Sequence, residues 1–411
     1  MTDRPAKCLL VARNFPPVIG GSAVVYDQLA ANAQGMIVVL SGRNDIETGR
    51  PLEGWGRFDA GRTYTVHRTA WLRPRERGGR RTLLSPVAAL VRDYWTRLRV
   101  ALRVIGLCAQ YRIRVICIGE LISLGWLASL CRLIPGLHAI CFVHGEEITT
   151  EFGFRRFARD RARSLRHADA VVAVSSYTRH RLQELMKVPP AKVEVINNGV
   201  DLARFRPVPY PAELAARLGA AGRRVILTVS RLMQKKGIDS TLYALPALVE
   251  EWPSLLYLVV GEGEYRTQLE SIARELALDE HVVFCGAVQG EALADYYALA
   301  EFFVMPNRRM PDGDTEGFGL VFLEANACRK AVIGGRDGGV PDAVVDGETG
   351  ILVNGQSIDD LRAAMRALLA DDTLRDRLAE GGYRRALESG WASRARKFLA
   401  LVELTERGGS R

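Results

Sequence analysis

Short apolar runs alternate with helix-like stretches along the whole chain, and this alternation limits the folds that the chain can adopt. Runs rich in β-branched residues and bounded by turn residues are typical of buried strands, and strands separated by helices form parallel sheets covered by helices. The sequence therefore predicts an α/β fold with parallel sheets. The runs lie at 8–12, 36–40, 115–118, 139–143, 170–174, 225–229, 256–260, 282–284, 302–305 and 331–333.

The length of the chain predicts two domains. It has 411 residues, whereas a single hydrophobic core stops growing at about 250–300 residues. A strand-like run at 193–196 is followed by segment 201–211, which contains three prolines and favours an extended linker. We predict an N-terminal domain over 1–205, a C-terminal domain over 206–390 and a terminal helix within 391–411.

Two glutamates, Glu316 and Glu324, bracket a loop that runs into a helix predicted over 320–328. The loop follows a predicted strand, so it lies at the carboxyl end of that strand, where open α/β sheets bind ligands. Gly317 and Gly319 allow the backbone to approach a ligand, and the helix N-terminus suits phosphate. Alternatively, one acid stabilises the helix dipole and the other is solvated.

A second strand end is basic. The run at 225–229 is followed by Arg231, Lys235 and Lys236, and a helix is predicted to start within 237–240. Arginine can donate two charge-assisted hydrogen bonds to a diphosphate, and lysine supplies a compact charge. Arg231 and Lys236 are therefore candidates for binding phosphates; alternatively, all three side chains are solvated loop charges.

A glycine pair near the amino terminus lies between a predicted strand and a helix predicted over 23–33. Gly20 and Gly21 form a strand-to-helix turn of the kind that binds anions. Their spacing is neither that of a dinucleotide-binding glycine motif nor that of a P-loop. The pair is either an anion site or only a tight turn.

His144 ends the apolar run at 139–143. Histidine has the unperturbed side-chain pKa closest to neutrality, and at a strand end it can donate or accept a hydrogen bond to a ligand. A structural histidine bonded to a backbone carbonyl is the alternative.

Together these motifs resemble retaining glycosyltransferases of family 4, which have the GT-B architecture. The resemblance covers nearly the whole chain. One departure is Asp342, where the family more often has glutamate. The motifs are Gly20-Gly21, His144-Gly-Glu, Asn197-Asn-Gly-Val-Asp201, Ser230-Arg231 with Lys236-Gly237, Glu316 with Glu324, Gly338-Gly-Val-Pro-Asp342 and Gly347-Glu-Thr-Gly350-Ile-Leu-Val353.

The resemblance implies two Rossmann-like domains, each with a parallel sheet, around an interdomain cleft. It also implies that helix 391–411 packs back on the first domain. The implied activity is transfer of a hexose from a nucleotide diphosphate sugar to a hydroxyl of a glycan, a lipid-linked or a small-molecule acceptor, forming an α-linkage. GDP- and UDP-sugars both remain open, and no cofactor is expected because the nucleotide sugar is a substrate.

Site residues follow from the resemblance, position by position. The catalytic residues that it implies are His144, Arg231, Lys236 and Glu316, with Glu316 on the donor sugar and Glu324 on the ribose. The implied donor-binding residues are Gly20, Gly21, Arg231, Lys236, Glu316, Gly317, Phe318, Gly319, Glu324 and Val288.

Asp312-Gly-Asp314 has the Asp-x-Asp form with which other glycosyltransferases hold a divalent cation on a diphosphate. We expect no metal there, because Arg231 and Lys236 already supply positive charge. Two other classes of function also fit a diphosphate site. One is a sugar-nucleotide epimerase, which would convert donor without acceptor; the other is a non-catalytic partner that binds nucleotide sugar without turnover.

The formal net charge is +9, and arginines are concentrated between Trp71 and Arg114. Interspersed apolar residues predict a basic amphipathic surface that contacts an anionic membrane. An anionic-acceptor site and a solvated face are the alternatives; nucleic acid is not expected, since no nucleic-acid-binding motif accompanies the charge. The arginines are Arg73, Arg75, Arg77, Arg80, Arg81, Arg92, Arg97, Arg99, Arg103, Arg112 and Arg114.

The sequence shows neither a membrane-spanning segment nor a secretory signal pattern. The apolar stretch 121–131 is too short for the roughly 20 residues of a membrane span, and the start of the chain does not have the pattern of a secretory signal. The seven cysteines are dispersed and lack metal-ligand spacing. We therefore expect a cytoplasmic protein, in peripheral contact with the inner face of the membrane.

Overall fold

The computed structural model describes residues 7–18, 20–44, 50–72, 85–149, 154–288 and 290–408. The chain forms two compact units. Unit 1 consists of Met1–Ile196 and Trp391–Arg411, and unit 2 consists of Asn197–Gly390. The segment 201–211, which we predicted as a linker, lies within unit 2 and has neither helix nor strand.

Each run predicted above overlaps a strand among the described residues. The strands are β1 (Cys8–Val11), β2 (Ile37–Gly42), β3 (Val66–Thr69), β4 (Val115–Ile118), β5 (His138–Val143), β6 (Ala170–Ala173), β7 (Val193–Val195), β8 (Arg224–Val229), β9 (Leu255–Val260), β10 (Val282–Gly286), β11 (Phe302–Met305), β12 (Ala331–Gly335) and β13 (Ile351–Val353).

Helices separate most of these strands. They are α1 (Gly21–Ala31), α2 (Trp55–Ala60), α3 (Ser85–Tyr111), α4 (Leu121–Leu124), α5 (Trp126–Leu133), α6 (Glu146–Thr149), α7 (Phe154–His167), α8 (Ser176–Met186), α9 (Ala212–Arg217), α10 (Ile238–Glu251), α11 (Arg266–Glu275), α12 (Ala292–Leu299), α13 (Leu320–Ala327), α14 (Val340–Ala343), α15 (Ile358–Ala370), α16 (Asp372–Glu388) and α17 (Trp391–Glu406).

Each unit contains one parallel sheet, as the alternation predicted. The unit 1 sheet has seven strands in the order β3-β2-β1-β4-β5-β6-β7, and the unit 2 sheet has six in the order β10-β9-β8-β11-β12-β13. The strand order therefore reverses between β1 and β4 and between β8 and β11. In doubly wound sheets, ligands bind at the carboxyl ends of the strands beside such a reversal.

Strands β3 and β13 were not among the predicted runs. Both lie at a sheet edge. All four residues of β3 are only half-buried, so the strand does not need a continuous apolar run. Strand β13 has three residues, and we predicted this segment only as the end of a motif and not as a strand.

Helix α17 belongs to unit 1 and packs against α1 and β5. Its Phe398 is buried, and the ring centroid lies 6.3 Å from that of Phe142 on β5. The Lys7 ammonium, just before β1, pairs with Glu403 of this helix at 2.7 Å. Helix α17 is thus part of the same unit as the N-terminal strand β1.

Candidate active site

The carboxyl end of β8 in unit 2 is closely packed by backbone. At Gly261, after β9, a Cβ atom would lie 1.8 Å from the carbonyl oxygen of Ser230, and the residue has a φ of +141°. At Gly237 a Cβ would lie 2.1 Å from the carbonyl oxygen of Pro306, after β11. Only glycine fits at such approaches. The loops after β8, β9 and β11 are therefore held together where the strand order reverses.

Two of the predicted site residues meet in this region. The Lys236 ammonium donates a hydrogen bond to Oε2 of Glu316, and their side chains are only 13% and 15% exposed. Burial alone would raise the pKa of Glu316, but the Lys236 charge and hydrogen bond, together with Lys235 and the Phe318 N–H, hold this pKa below its ordinary value. Glu316 is therefore a carboxylate at neutral pH.

The aspartates of the Asp-x-Asp sequence are engaged within their own loop. Oδ1 of Asp314 accepts a hydrogen bond from the Lys235 ammonium at 2.8 Å, and Oδ1 of Asp312 accepts one from the Asp314 N–H at 3.0 Å. In the part of the chain that the structure describes, no group of three or more His, Cys, Asp or Glu side chains could hold a metal ion. Lys235 is thus buried and anchors the Glu316 loop, which excludes for this residue the alternative of a solvated loop charge.

The glycines after Glu316 shape the start of α13. Gly319 is the N-cap residue with a φ of 89°, and a Cβ there would lie 2.6 Å from the Phe322 ring. The motif that begins at Gly338 supports the same loop, because the Gly339 N–H donates to the Glu316 carbonyl oxygen at 2.8 Å. Asp342 of that motif accepts a hydrogen bond from Asn197 at 2.9 Å.

Glu324, on α13, has partners that the sequence did not indicate. Its Oε2 accepts a hydrogen bond from the Tyr297 hydroxyl of α12 at 3.2 Å. Burial raises the pKa of Glu324 to about 7, although the Arg204 charge and the Tyr297 hydrogen bond act in the opposite direction. This carboxyl group is therefore poised to change its charge near neutral pH.

Arg231 and Val288 follow strands β8 and β10, which flank β9 in the unit 2 sheet. Arg231 follows β8 and is exposed, and Val288 follows β10 and is half-buried. Among the described residues, no ion pair involves Arg231. Its guanidinium is thus available to an anionic ligand, unlike the Lys236 ammonium, which is already paired with Glu316.

The remaining predicted residues lie in unit 1. Gly20 and Gly21 begin α1, and this helix also carries Tyr26, which contacts His144 after β5. The Tyr26 hydroxyl donates to the carbonyl oxygen of Gly119 and lies 2.7 Å from Nε2 of His144. Since a hydroxyl has one proton, His144 donates through Nε2–H, which leaves Nδ1 as an acceptor.

Burial lowers the pKa of His144 to about 4. The imidazole is therefore neutral at pH 7. With its Nε2–H bonded to Tyr26, His144 suits a hydrogen bond from a ligand hydroxyl better than proton transfer.

An ion pair at the strand reversal of unit 1 was not predicted. Arg13, after β1, donates to Oε1 of Glu120, after β4, at 2.9 Å. Arg13 and Glu120 are 107 residues apart in the sequence. Only knowledge that β1 and β4 are neighbours would have indicated it.

Family models match most of the chain. The model for glycosyl transferases group 1 matches residues 213–385, and that for Glycosyltransferase Family 4 matches residues 59–204. The two matches fall largely in unit 2 and in unit 1, respectively.

Curated relatives extend over nearly the full length. A GDP-mannose-dependent monoacylated alpha-(1-6)-phosphatidylinositol monomannoside mannosyltransferase from Corynebacterium glutamicum is 30% identical over 396 residues, which are 94% of each chain. The chain belongs to glycosyltransferase family 4. A GDP-mannose-dependent alpha-(1-6)-phosphatidylinositol monomannoside mannosyltransferase from Mycolicibacterium smegmatis is 34% identical to this glycosyltransferase over 312 residues, 74% of this chain and 80% of the relative.

Solved structures agree with the glycosyltransferase fold. Sucrose-phosphate synthase from Thermosynechococcus elongatus has a TM-score of 0.75 at 23% identity, covering 97% of this glycosyltransferase and 98% of the synthase. WaaG, a glycosyltransferase involved in lipopolysaccharide biosynthesis, has a TM-score of 0.66 at 16% identity, covering 96% and 99%. The predicted GT-B fold is thus confirmed, and the family models and curated relatives confirm the predicted glycosyltransferase activity.

Proposed function

We propose that this glycosyltransferase transfers mannose from GDP-mannose to a phosphatidylinositol mannoside or a closely related glycolipid, with the anomeric configuration kept. The observation that carries the proposal is the 30% identity over 94% of both chains with a relative whose name states this donor and this class of acceptor. The choice between GDP- and UDP-sugars, open in the sequence, is thereby made in favour of GDP.

Unit 2 supplies the donor site in this proposal. The diphosphate binds Arg231, Lys236 and the backbone at the start of α13, including Gly317, Phe318 and Gly319. Preorganised donors of this kind stabilise the charge that develops on the leaving group. The exposed Arg231 is available for this role, and Lys236 has to share its charge with Glu316.

Glu316 and Glu324 have different tasks in the proposal. Glu316 contacts the donor sugar as a carboxylate, and Glu324 accepts hydrogen bonds from the ribose hydroxyls, with Val288 beside the base. For unit 1, we propose that Gly20, Gly21 and His144 bind ligand, with His144 accepting a hydrogen bond from a ligand hydroxyl through Nδ1.

The proposed transfer reaction needs neither a metal nor a covalent intermediate on the enzyme. The bond between the anomeric carbon and the diphosphate oxygen breaks, and the acceptor oxygen forms the new bond on the same face. The leaving diphosphate takes the proton of the acceptor hydroxyl. Trapping of a glycosyl ester on the enzyme would contradict this route.

Helix α3 supports contact with a membrane surface. Its residues Val100, Val104 and Leu107 are buried, and a stripe at three- and four-residue spacing on the other side is apolar and exposed. Exposed apolar residues beside arginines are typical of helices that bind anionic membranes. The stripe consists of Val91, Tyr94, Trp95, Leu102 and Ile105, 50%, 65%, 53%, 62% and 37% exposed.

The same helix carries Arg92, Arg99 and Arg103, all exposed. The five predicted arginines from Arg73 to Arg81 lie outside the described residues. Of the described residues, no helix is long and apolar enough to cross a bilayer. We propose peripheral binding through α3, which is compatible with a lipid-linked acceptor.

Membrane binding is testable on α3 by itself. Replacing Trp95 and Leu102 with serine is expected to abolish most of the co-sedimentation with vesicles that contain phosphatidylinositol, because the apolar part of the contact is lost. Leu387→Ser, at a leucine that is 48% exposed on α16, is the matched control and should sediment as the wild type does. Equal sedimentation of all three proteins would contradict the proposal.

A transfer assay tests the proposed reaction. With phosphatidylinositol monomannoside in mixed micelles, we expect the enzyme to consume GDP-mannose and form an α-linked dimannoside, and to use UDP-glucose poorly. Conversion of the donor without acceptor would instead indicate the epimerase alternative. Nucleotide binding without turnover on any acceptor would indicate a non-catalytic partner.

A further inference from the structure

Unit 1 contains a cavity that none of the donor-site residues assigned above lines. Its volume is about 440 Å³, within the range of roughly 300–1,000 Å³ that is usual for small-molecule sites. One wall is apolar and comes from α4 and α5. This wall consists of Leu121, Ile122, Trp126, Leu130 and Leu133.

Arg161 of α7 lines the same cavity and is only 1% exposed. Its Nη1 donates to the carbonyl oxygen of Glu147. Its Nε and Nη2 have no hydrogen-bond partner among the described residues. Buried donors almost always have partners, so two guanidinium nitrogens without an acceptor beside a cavity point to an acceptor that binds there.

Two more arginines line the cavity. Arg163 comes from α7 and Arg97 from α3. The Arg97 guanidinium carbon lies 5.9 Å from the ring centroid of Trp126 and its Nη2 lies 3.0 Å from Asp93. Within the described part of the chain, no carboxylate lines the cavity. Three cations beside an apolar wall therefore favour an amphiphile with an anionic group.

The cavity adjoins the unit 1 part of the proposed site. Leu121 follows Glu120 at the carboxyl end of β4, and the carbonyl that Arg161 contacts belongs to Glu147, three residues after His144. The cavity is thus lined from the same edge of the sheet that carries His144.

We infer that this cavity binds an anionic phospholipid, with one acyl chain along the apolar wall and the phosphodiester on the free N–H groups of Arg161. The inference rests on the proposed function only in identifying this lipid as the acceptor. A planar guanidinium with two free donors matches two oxygens of a phosphodiester, and the acyl chain accounts for the apolar wall.

Calorimetry on the full chain tests the inference. The ligand is dihexanoyl phosphatidylinositol, kept below its micelle-forming concentration. Ile122 is 51% exposed, so Ile122→Glu should fold while placing a carboxylate in the cavity. We expect at least about tenfold weaker binding for this variant and for Arg161→Met, since each loses or opposes a charge-assisted contact. Leu387→Glu is the matched control and should bind as the wild type does.

GDP binding by the same proteins shows that they remain folded, because the GDP-binding residues assigned above do not line the cavity. Wild-type affinity for the lipid in Ile122→Glu would overturn the inference, whatever the behaviour of Arg161→Met. Equal affinity for glycerophosphoinositol would also overturn it, since that compound lacks acyl chains. Cavity-dependent lipid binding by a protein that fails to transfer mannose would uphold the inference and reject the proposed function.

Discussion

Lys236→Met is expected to lower kcat for mannose transfer by roughly a hundredfold to a thousandfold, the usual loss when one preorganised contact to a developing negative charge is removed. The variant also leaves the Glu316 carboxylate without its ammonium partner in a site where both side chains are at most 15% exposed. Breaking such a pair costs up to roughly 3–5 kcal/mol of unfolding free energy. Steady-state kinetics and thermal unfolding measure the two effects.

A double variant separates the two effects of Lys236. Adding Glu316→Gln to Lys236→Met removes the unpaired carboxylate, so stability should recover while kcat stays low. Lys235→Met is a matched control, because Lys235 also loses a buried pair, to Asp314 at 2.8 Å, but has no assigned contact with the donor. Recovery of activity in the double variant would mean that Lys236 acts only by neutralising Glu316.

The affinity for GDP-mannose is expected to rise roughly tenfold between pH 6 and pH 8, because the ribose hydroxyls donate to the carboxylate form of Glu324. Burial raises the pKa of this group to about 7. Below that pH a proton must be lost on binding, which costs about a factor of ten per pH unit. Above it the carboxylate is already present and the affinity levels off.

The pH dependence is measured with a donor whose own charge does not change between pH 6 and pH 8, and with control variants. GDP-mannose is preferable to GDP, whose terminal phosphate loses its second proton near pH 6. Glu324→Gln should bind more weakly at pH 8 and show a flat profile. Burial also raises the pKa of Glu147 to about 7, so Glu147→Gln is the matched control. A profile that flattens in Glu147→Gln and persists in Glu324→Gln would assign the titration to Glu147.

Much of the fold followed from local pattern. Strands such as β4 and β11 begin and end where their apolar runs do, because buried parallel strands need apolar residues on both faces. The edge strand β3 was missed because its residues Val66–Thr69 are all half-buried and include His67 and Arg68. Local pattern therefore predicts the sheet centre better than its edges.

Partners of the site residues could not be predicted in the same way. Tyr297 reaches Glu324 across 27 positions of sequence and Tyr26 reaches His144 across 118. Neither separation matches a helical or strand repeat, so only the tertiary structure brings these groups together. Tertiary structure also fixes what motifs leave open, namely the tautomer of His144, set by Tyr26, and the pKa of Glu324, which burial raises and the Tyr297 hydrogen bond opposes.

The most direct test of the account is calorimetric titration of GDP, UDP and ADP into the wild-type protein and Glu324→Ala, each in the presence and absence of EDTA. We predict that GDP binds most tightly, that EDTA leaves its affinity unchanged and that Glu324→Ala weakens it. Preference for UDP or ADP, binding that requires a divalent cation, or equal affinity of the two proteins would contradict the assignment of unit 2 as a GDP-sugar site that works without metal.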